Sequence, residues 1–299
     1  MAIDAPSLLR RTFPDVVRTY DARDAIAYAI AIGLGRDRGG PERRYVDASC
    51  LVPFPSMAAS LGTPGFWMRD PSAGIDAARA LHVGHKVTLH ASLPAAATIV
   101  ARSRVTGIAD KGPGRGALVA VRRKILDRAT STPLATVDAL TLCCGDGGCG
   151  DAGEAPQVPP PVPDRAPDAV HEVATRAETA ALFALGGDDN PIHLDMEAAR
   201  RAGYDRPILH GVCSLGIATS AVVAALAGGD ASRLAEVEAR FTGVAFPGET
   251  MRTEVWREGD AIAFRTWSAE RGQRVLDAGR ARLHTGTALL STDGSISTP

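Results

Sequence analysis

Polar and apolar positions alternate along two similar stretches of the chain, and helical spacing precedes the alternation in each. In the first stretch, Asp24-Ala-Ile-Ala-Tyr-Ala-Ile-Ala-Ile-Gly-Leu-Gly35 reads as a helix, with Asp24 suited to the N-cap and the glycines to the exit. Alternating runs bounded by Gly and Pro follow at 86–91, 98–105, 116–126 and 134–142, which predicts antiparallel strands with one wet face. The second stretch repeats the plan, with helical spacing over 176–185 and 211–227 and strands at 234–242, 250–256, 260–268 and 274–283. Helices followed by antiparallel strands predict an α+β fold, a sheet curled around one buried helix. Here two such units stand in tandem, with their sheets side by side.

Between them, 151–168 is rich in proline and lacks apolar periodicity, so it reads as an extended linker. The expected division is a domain at 1–150, the linker at 151–168 and a domain at 169–299. Pro207 to Gly229 contains no Asp, Glu, Lys or Arg, which raises the question of a membrane span. His210, Ser214, Thr219, Ser220 and four glycines interrupt it, so a helix buried inside a sheet is the expectation, without a membrane. A net charge of −1 with dispersed Lys and Arg argues against nucleic acid as partner. The start Met1-Ala-Ile-Asp-Ala-Pro shows no secretory signal and the end Ser297-Thr-Pro299 no retention or peroxisomal address. Five irregularly spaced cysteines suit a reducing compartment, so the cytoplasm is expected.

The chemistry points to Ala181-Leu-Phe-Ala-Leu-Gly-Gly-Asp-Asp-Asn-Pro-Ile-His193. Gly186 and Gly187 end the preceding helix, and Asn190 before Pro191 keeps the chain extended. Asp188 and His193 can then face one space, while Asp195 caps a short helix over 196–202 that stops at Gly203. A carboxylate with an imidazole suits reversible proton transfer with one water held between them. The same residues also describe a plain Asx-Pro turn. Downstream, Gly211 follows His210 at the head of the uncharged helix, where a free N–H can hold a developing oxyanion; Gly211 there equally allows tight packing.

These residues resemble the MaoC-like dehydratases, or hydratase 2 family, whose signature runs Tyr-Arg-Leu-Ser-Gly-Asp-x-Asn-Pro-Leu-His. Asp188, Asn190, Pro191 and His193 match it, whereas Phe183, Ala184, Gly186 and Ile192 depart from it. Pro207-Ile-Leu-His-Gly211 and Arg240-Phe-Thr-Gly-Val-Ala-Phe-Pro-Gly-Glu-Thr250 resemble two later family motifs. Leu81-His82, Leu93-Pro94 and Asp110-Lys-Gly112 resemble the N-terminal half of the two-domain, eukaryotic-type members. The resemblance implies a double hot-dog fold in which only the C-terminal half is catalytic and the N-terminal half shapes the acyl pocket. It implies that Asp188 and His193 activate water, Asn190 holds the loop and the Gly211 N–H binds the thioester oxygen. The implied reaction is syn hydration of a trans-2-enoyl-CoA to a (3R)-hydroxyacyl-CoA, with an acyl-CoA thioester as partner, no cofactor and no metal. A homodimer is expected. Alternatives are a dehydratase of acyl carrier protein thioesters or of a branched dicarboxylic acyl-CoA, and a non-catalytic acyl-thioester binder.

Other features carry less. Cys143-Cys144-Gly-Asp-Gly-Gly-Cys149 lacks the spacing of a zinc site, and Gly112-Pro-Gly-Arg-Gly116 reads as a hairpin turn. His82 and His90 share a face if their strand is continuous, and with His85 they read as structural or surface residues. Arg122-Arg-Lys124 reads as solvated strand or as contacts for CoA phosphates.

Overall fold

The computed structural model describes residues 3–37 and 39–284; the terminal sequences read above for addresses reach beyond these at 1–2 and 285–299. The first half contributes α1 (Ala5–Leu9), β1 (Val16–Tyr20), α2 (Ala22–Ala31), β2 (Ala80–Leu89), β3 (Ala97–Asp110), β4 (Ala117–Asp127) and β5 (Pro133–Cys143). After the short β6 (Ala152–Gly153), the second half contributes β7 (Ala169–Ala174), α3 (Thr179–Ala184), α4 (Met196–Arg201), α5 (Gly211–Leu226), β8 (Leu234–Phe241), β9 (Thr250–Glu258), β10 (Ala261–Ser268) and β11 (Gln273–Leu283). Among the described residues eleven strands form one sheet, ten of them in the order β1-β3-β4-β5-β2-β8-β11-β10-β9-β7, and β6 pairs with β3. That order is a palindrome: each strand of one half has its counterpart at the same distance from the seam. The fold is the expected double hot-dog.

The seam is the antiparallel pair β2–β8, from Gly84 opposite Arg240 to Thr88 opposite Glu236. On the concave side, α5 is buried continuously from Cys213 to Val223. Each large apolar side chain there, such as Leu215 or Ile217, stabilises the fold by about 1.5–3 kcal/mol. No helix among the described residues is long and apolar enough to cross a membrane. Gly216 lets α2 approach closely: a Cβ there would lie 2.6 Å from Ile32 and 2.7 Å from the Tyr28 hydroxyl.

In the first half the interior is filled differently. The buried 3-10 turn Pro55–Ser60 packs against β2, β5 and α5, while α2 lies against α3. Asp24 is not the N-cap of α2. Asp21 caps it, and Asp24 completes a capping box by accepting from the Asp21 N–H at 2.9 Å. The proline-rich stretch is pinned to the second half, with Arg280 donating to the carbonyls of Pro160 and Pro161 and Trp256 Nε1 donating to that of Arg165.

Candidate active site

The loop between α3 and α4 owes its path to local sequence. Gly187 adopts φ +97°, which favours glycine, and a Cβ there would lie 2.5 Å from Arg18 Nη1. Arg18, from β1 of the other half, donates to the Gly186 carbonyl. This tether supports the loop where the Arg and Ser of the family signature are missing. Asn190 is extended as expected before proline, and its Oδ1 accepts from the Ile192 N–H at 3.5 Å. Asp195 caps α4, accepting from Ala198 N–H at 2.6 Å.

The loop brings Asp188 and His193 together, with His210 beside them: ligand-type atoms of the three lie within 4.8 Å of one another. His193 is buried, and its Nδ1 lies 2.9 Å from the Ile208 carbonyl. A carbonyl only accepts, so Nδ1 carries the proton and the Nε2 lone pair is left for substrate chemistry. Burial lowers the His193 pKa below the usual histidine value, against the opposing pull of the Ile208 carbonyl and the Asp188 charge. The resting His193 imidazole is therefore neutral at neutral pH.

His210 is the residue that sequence reasoning passed over. It is the N-cap of α5, is 1% exposed, and stacks on His193 with ring centroids 3.7 Å apart at 29°. Its Nε2–H donates to the main-chain carbonyl of Asp188 at 3.4 Å, and Phe183 covers its other side at 4.8 Å. The histidine of Pro207-Ile-Leu-His-Gly211 was the available signal. Asp188, His193 and His210 also offer ligand atoms of the kind a metal ion takes. Gly211 begins the first turn of α5, where no carbonyl within the helix can accept its N–H.

The seam brings in one more residue. His82 sits edge-on to Phe241 at 4.8 Å, and the Phe241 ring lies 3.2–3.4 Å from where a Cβ on Gly211 would stand. A register shift between His82 and Gly84 breaks the strand's alternation, so His82 meets His85 and not His90, whose Nε2 contacts Thr136 instead. Of the basic trio, Arg122 pairs with Asp138, Lys124 is exposed and Arg123 is buried; neither expectation covered a buried arginine.

Comparison with known proteins identifies the family and the fold. The family model described as MaoC like domain matches residues 159–278, and that described as MFE-2 hydratase 2 N-terminal domain matches 19–145. The chain is 36% identical over 277 residues to 3-hydroxyacyl-thioester dehydratase Y of Mycobacterium tuberculosis, covering 89% of this chain and 92% of that one. The chain belongs to the MaoC-like dehydratase family. It is also 29% identical over 286 residues to the peroxisomal enoyl-CoA hydratase 2 of Arabidopsis thaliana, covering 90% of this chain and 92% of that one. A crystal structure of a MaoC-like dehydratase from Phytophthora capsici superimposes with a TM-score of 0.83 at 28% identity, covering 94% of this chain and 99% of that one.

The buried histidines also predict a stability profile. Burial lowers His193, and it pushes His210 down to about 3, helped by its neighbour His193. Their unfolded value is about 6.5, so below that pH the unfolded chain binds more protons than the folded one. Their contribution is complete above about pH 6.5 and falls as pH drops toward the folded values, by up to about 1.4 kcal/mol per unit for each histidine. Urea midpoints measured from pH 7.5 to 4.5 should decrease below about 6.5, and His210→Phe should flatten that decrease. An equally steep fall in the variant would remove His210 from the account.

Proposed function

We propose that the chain catalyses reversible syn hydration of trans-2-enoyl-CoA to (3R)-hydroxyacyl-CoA. The observation that carries this is the convergence of Asp188 and His193 with His210, the residue that leads into the first turn of α5 at Gly211. One water sits between the Asp188 carboxylate and His193 Nε2. Its oxygen adds to C3 of the enoyl group as the pair takes its proton, and a proton is returned to C2 from the same face, so addition is syn. The Gly211 N–H stabilises the thioester oxygen as it gains enolate charge. Asn190 acts on the loop's shape.

In this reading residues 1–150 shape the acyl pocket, 151–168 link, and 169–299 hold the chemistry. The proposed compartment is the cytoplasm, supported by five free cysteines, and the proposed assembly is a homodimer. The test is loss of enoyl absorbance from crotonyl-CoA, with the product's configuration read by an (R)-specific or (S)-specific 3-hydroxyacyl-CoA dehydrogenase. An (S) product, or no turnover by folded protein, defeats the reading.

His210 acts here as a positioning residue. His210→Phe keeps a ring against His193 but loses the bond to the Asp188 main chain. It should lower kcat for crotonyl-CoA by about tenfold, the scale of one neutral hydrogen bond, with a smaller change in KM. An unchanged kcat would confine His210 to packing.

A further inference from the structure

The concave face of the first half holds a buried cation without a counter-charge. Arg123 points inward from β4 with Val121 and Ile125, and is 5% exposed. Its Nη2 donates to the Ala59 carbonyl at 2.6 Å, and among the described residues its Nε has no partner. Among the described residues no carboxylate pairs with it, whereas Arg122 on the outward face pairs with Asp138 and Glu154. Burial pushes Arg123 down to about 10, as expected of a guanidinium with no anion beside it.

Two more polar atoms nearby are buried without partners among the described residues: His85 Nε2, and the Oγ of Ser103, which stands opposite Arg123 in the β3–β4 ladder. His82 Nε2 lies 3.0 Å from the Gly84 carbonyl and 3.1 Å from His85 Nδ1. The carbonyl requires a proton on His82 Nε2, which makes His85 Nδ1 an acceptor and puts the His85 proton on its unpartnered Nε2. The three orphaned atoms are thus an N–H of a cation, an N–H of a neutral imidazole and a hydroxyl. All can donate, and none has an acceptor among the described residues. Buried polar groups in native proteins are nearly always satisfied, and an unpaired buried charge costs several kcal/mol.

His82 connects this group to the reaction centre. It lies against Phe241, which lies against Gly211, and both the Asp188 carboxylate and the Arg123 guanidinium act on its proton affinity, in opposite directions. His82 itself is exposed.

We propose that the first half recognises a carboxylate at the far end of the acyl chain, with Arg123 as its counter-charge and His85 and Ser103 as further donors. The substrate class is then the 2-enoyl-CoA of a dicarboxylic acid. This rests on the hydratase reading and narrows it.

The test compares kcat/KM for trans-2-hexenoyl-CoA with that for trans-2-hexenedioyl-CoA, which differs only in the terminal carboxylate. The unaltered chain should favour the diacid by at least about tenfold. In Arg123→Met that preference should fall by about a hundredfold, and Arg123→Lys should recover part of it. His85→Leu gives a second, smaller shift in the same ratio and serves if Arg123→Met does not fold. A chain that turns over the alkyl substrate as well as the diacid, or a folded Arg123→Met that loses both equally, overturns the proposal. No turnover of either substrate by the unaltered chain would count against the hydratase reading instead.

Discussion

Asp188→Asn should lower kcat for crotonyl-CoA hydration by about a thousandfold, within the range that general acid–base groups contribute. The substitution is close to isosteric. The one hydrogen bond that the Asp188 side chain makes in the loop, accepting from the Asn190 N–H at 3.3 Å, can pass to the amide oxygen. The tether from Arg18 to Gly186 and the bond from His193 to Ile208 do not involve it. What disappears is the negative charge that takes water's proton, leaving His193 as the only base. KM should change little, because the Gly211 N–H and the acyl pocket are untouched. Initial rates, with thermal unfolding as the check on folding, decide it. A folded variant within tenfold of the parent would make Asp188 a structural member of an Asx-Pro turn.

The legibility of this site in the sequence follows the distance between its parts. Asp188, Asn190 and His193 were readable because a glycine exit, an Asn-Pro extension and a short turn fix their relation within a few residues. Arg18 and His82 were not readable from spacing. Arg18 lies 168 positions from the carbonyl it holds, and His82 reaches the site only because β2 pairs with β8. Periodicity found the long strands but not β1 and β7, which are short and close the two edges of the sheet. It could not resolve 41–79 either, where short 3-10 turns, three of them led by Pro41, Pro55 and Pro71, impose no regular repeat. Asp21 and Asp24 are both cap-type residues three apart, and only the backbone shows which comes first. Arg123 was hidden for a different reason. Alternation along β4 put its position inside, but three adjacent basic residues read as a solvated run.

Gly211→Pro should lower kcat by about a hundredfold or more, the effect of losing one oxyanion donor, while leaving α5 in place. Proline is favoured at the first position of a helix, where its missing N–H breaks no helical bond. The preceding residue must be extended, and His210 already is, with φ −59° and ψ 134°. The new ring must fit against Phe241, whose nearest atom lies 3.2 Å from where a Cβ would stand. Gly211→Ala supplies the control, since it adds the same Cβ and keeps the N–H. The alanine variant should stay within about tenfold of the parent, because the phenyl ring has only a few tenths of an ångström to yield. The gap between the two variants isolates the N–H from the packing. If they are equally impaired, Gly211 is there for close approach alone, and the thioester oxygen must find its donor elsewhere in the first turn of α5.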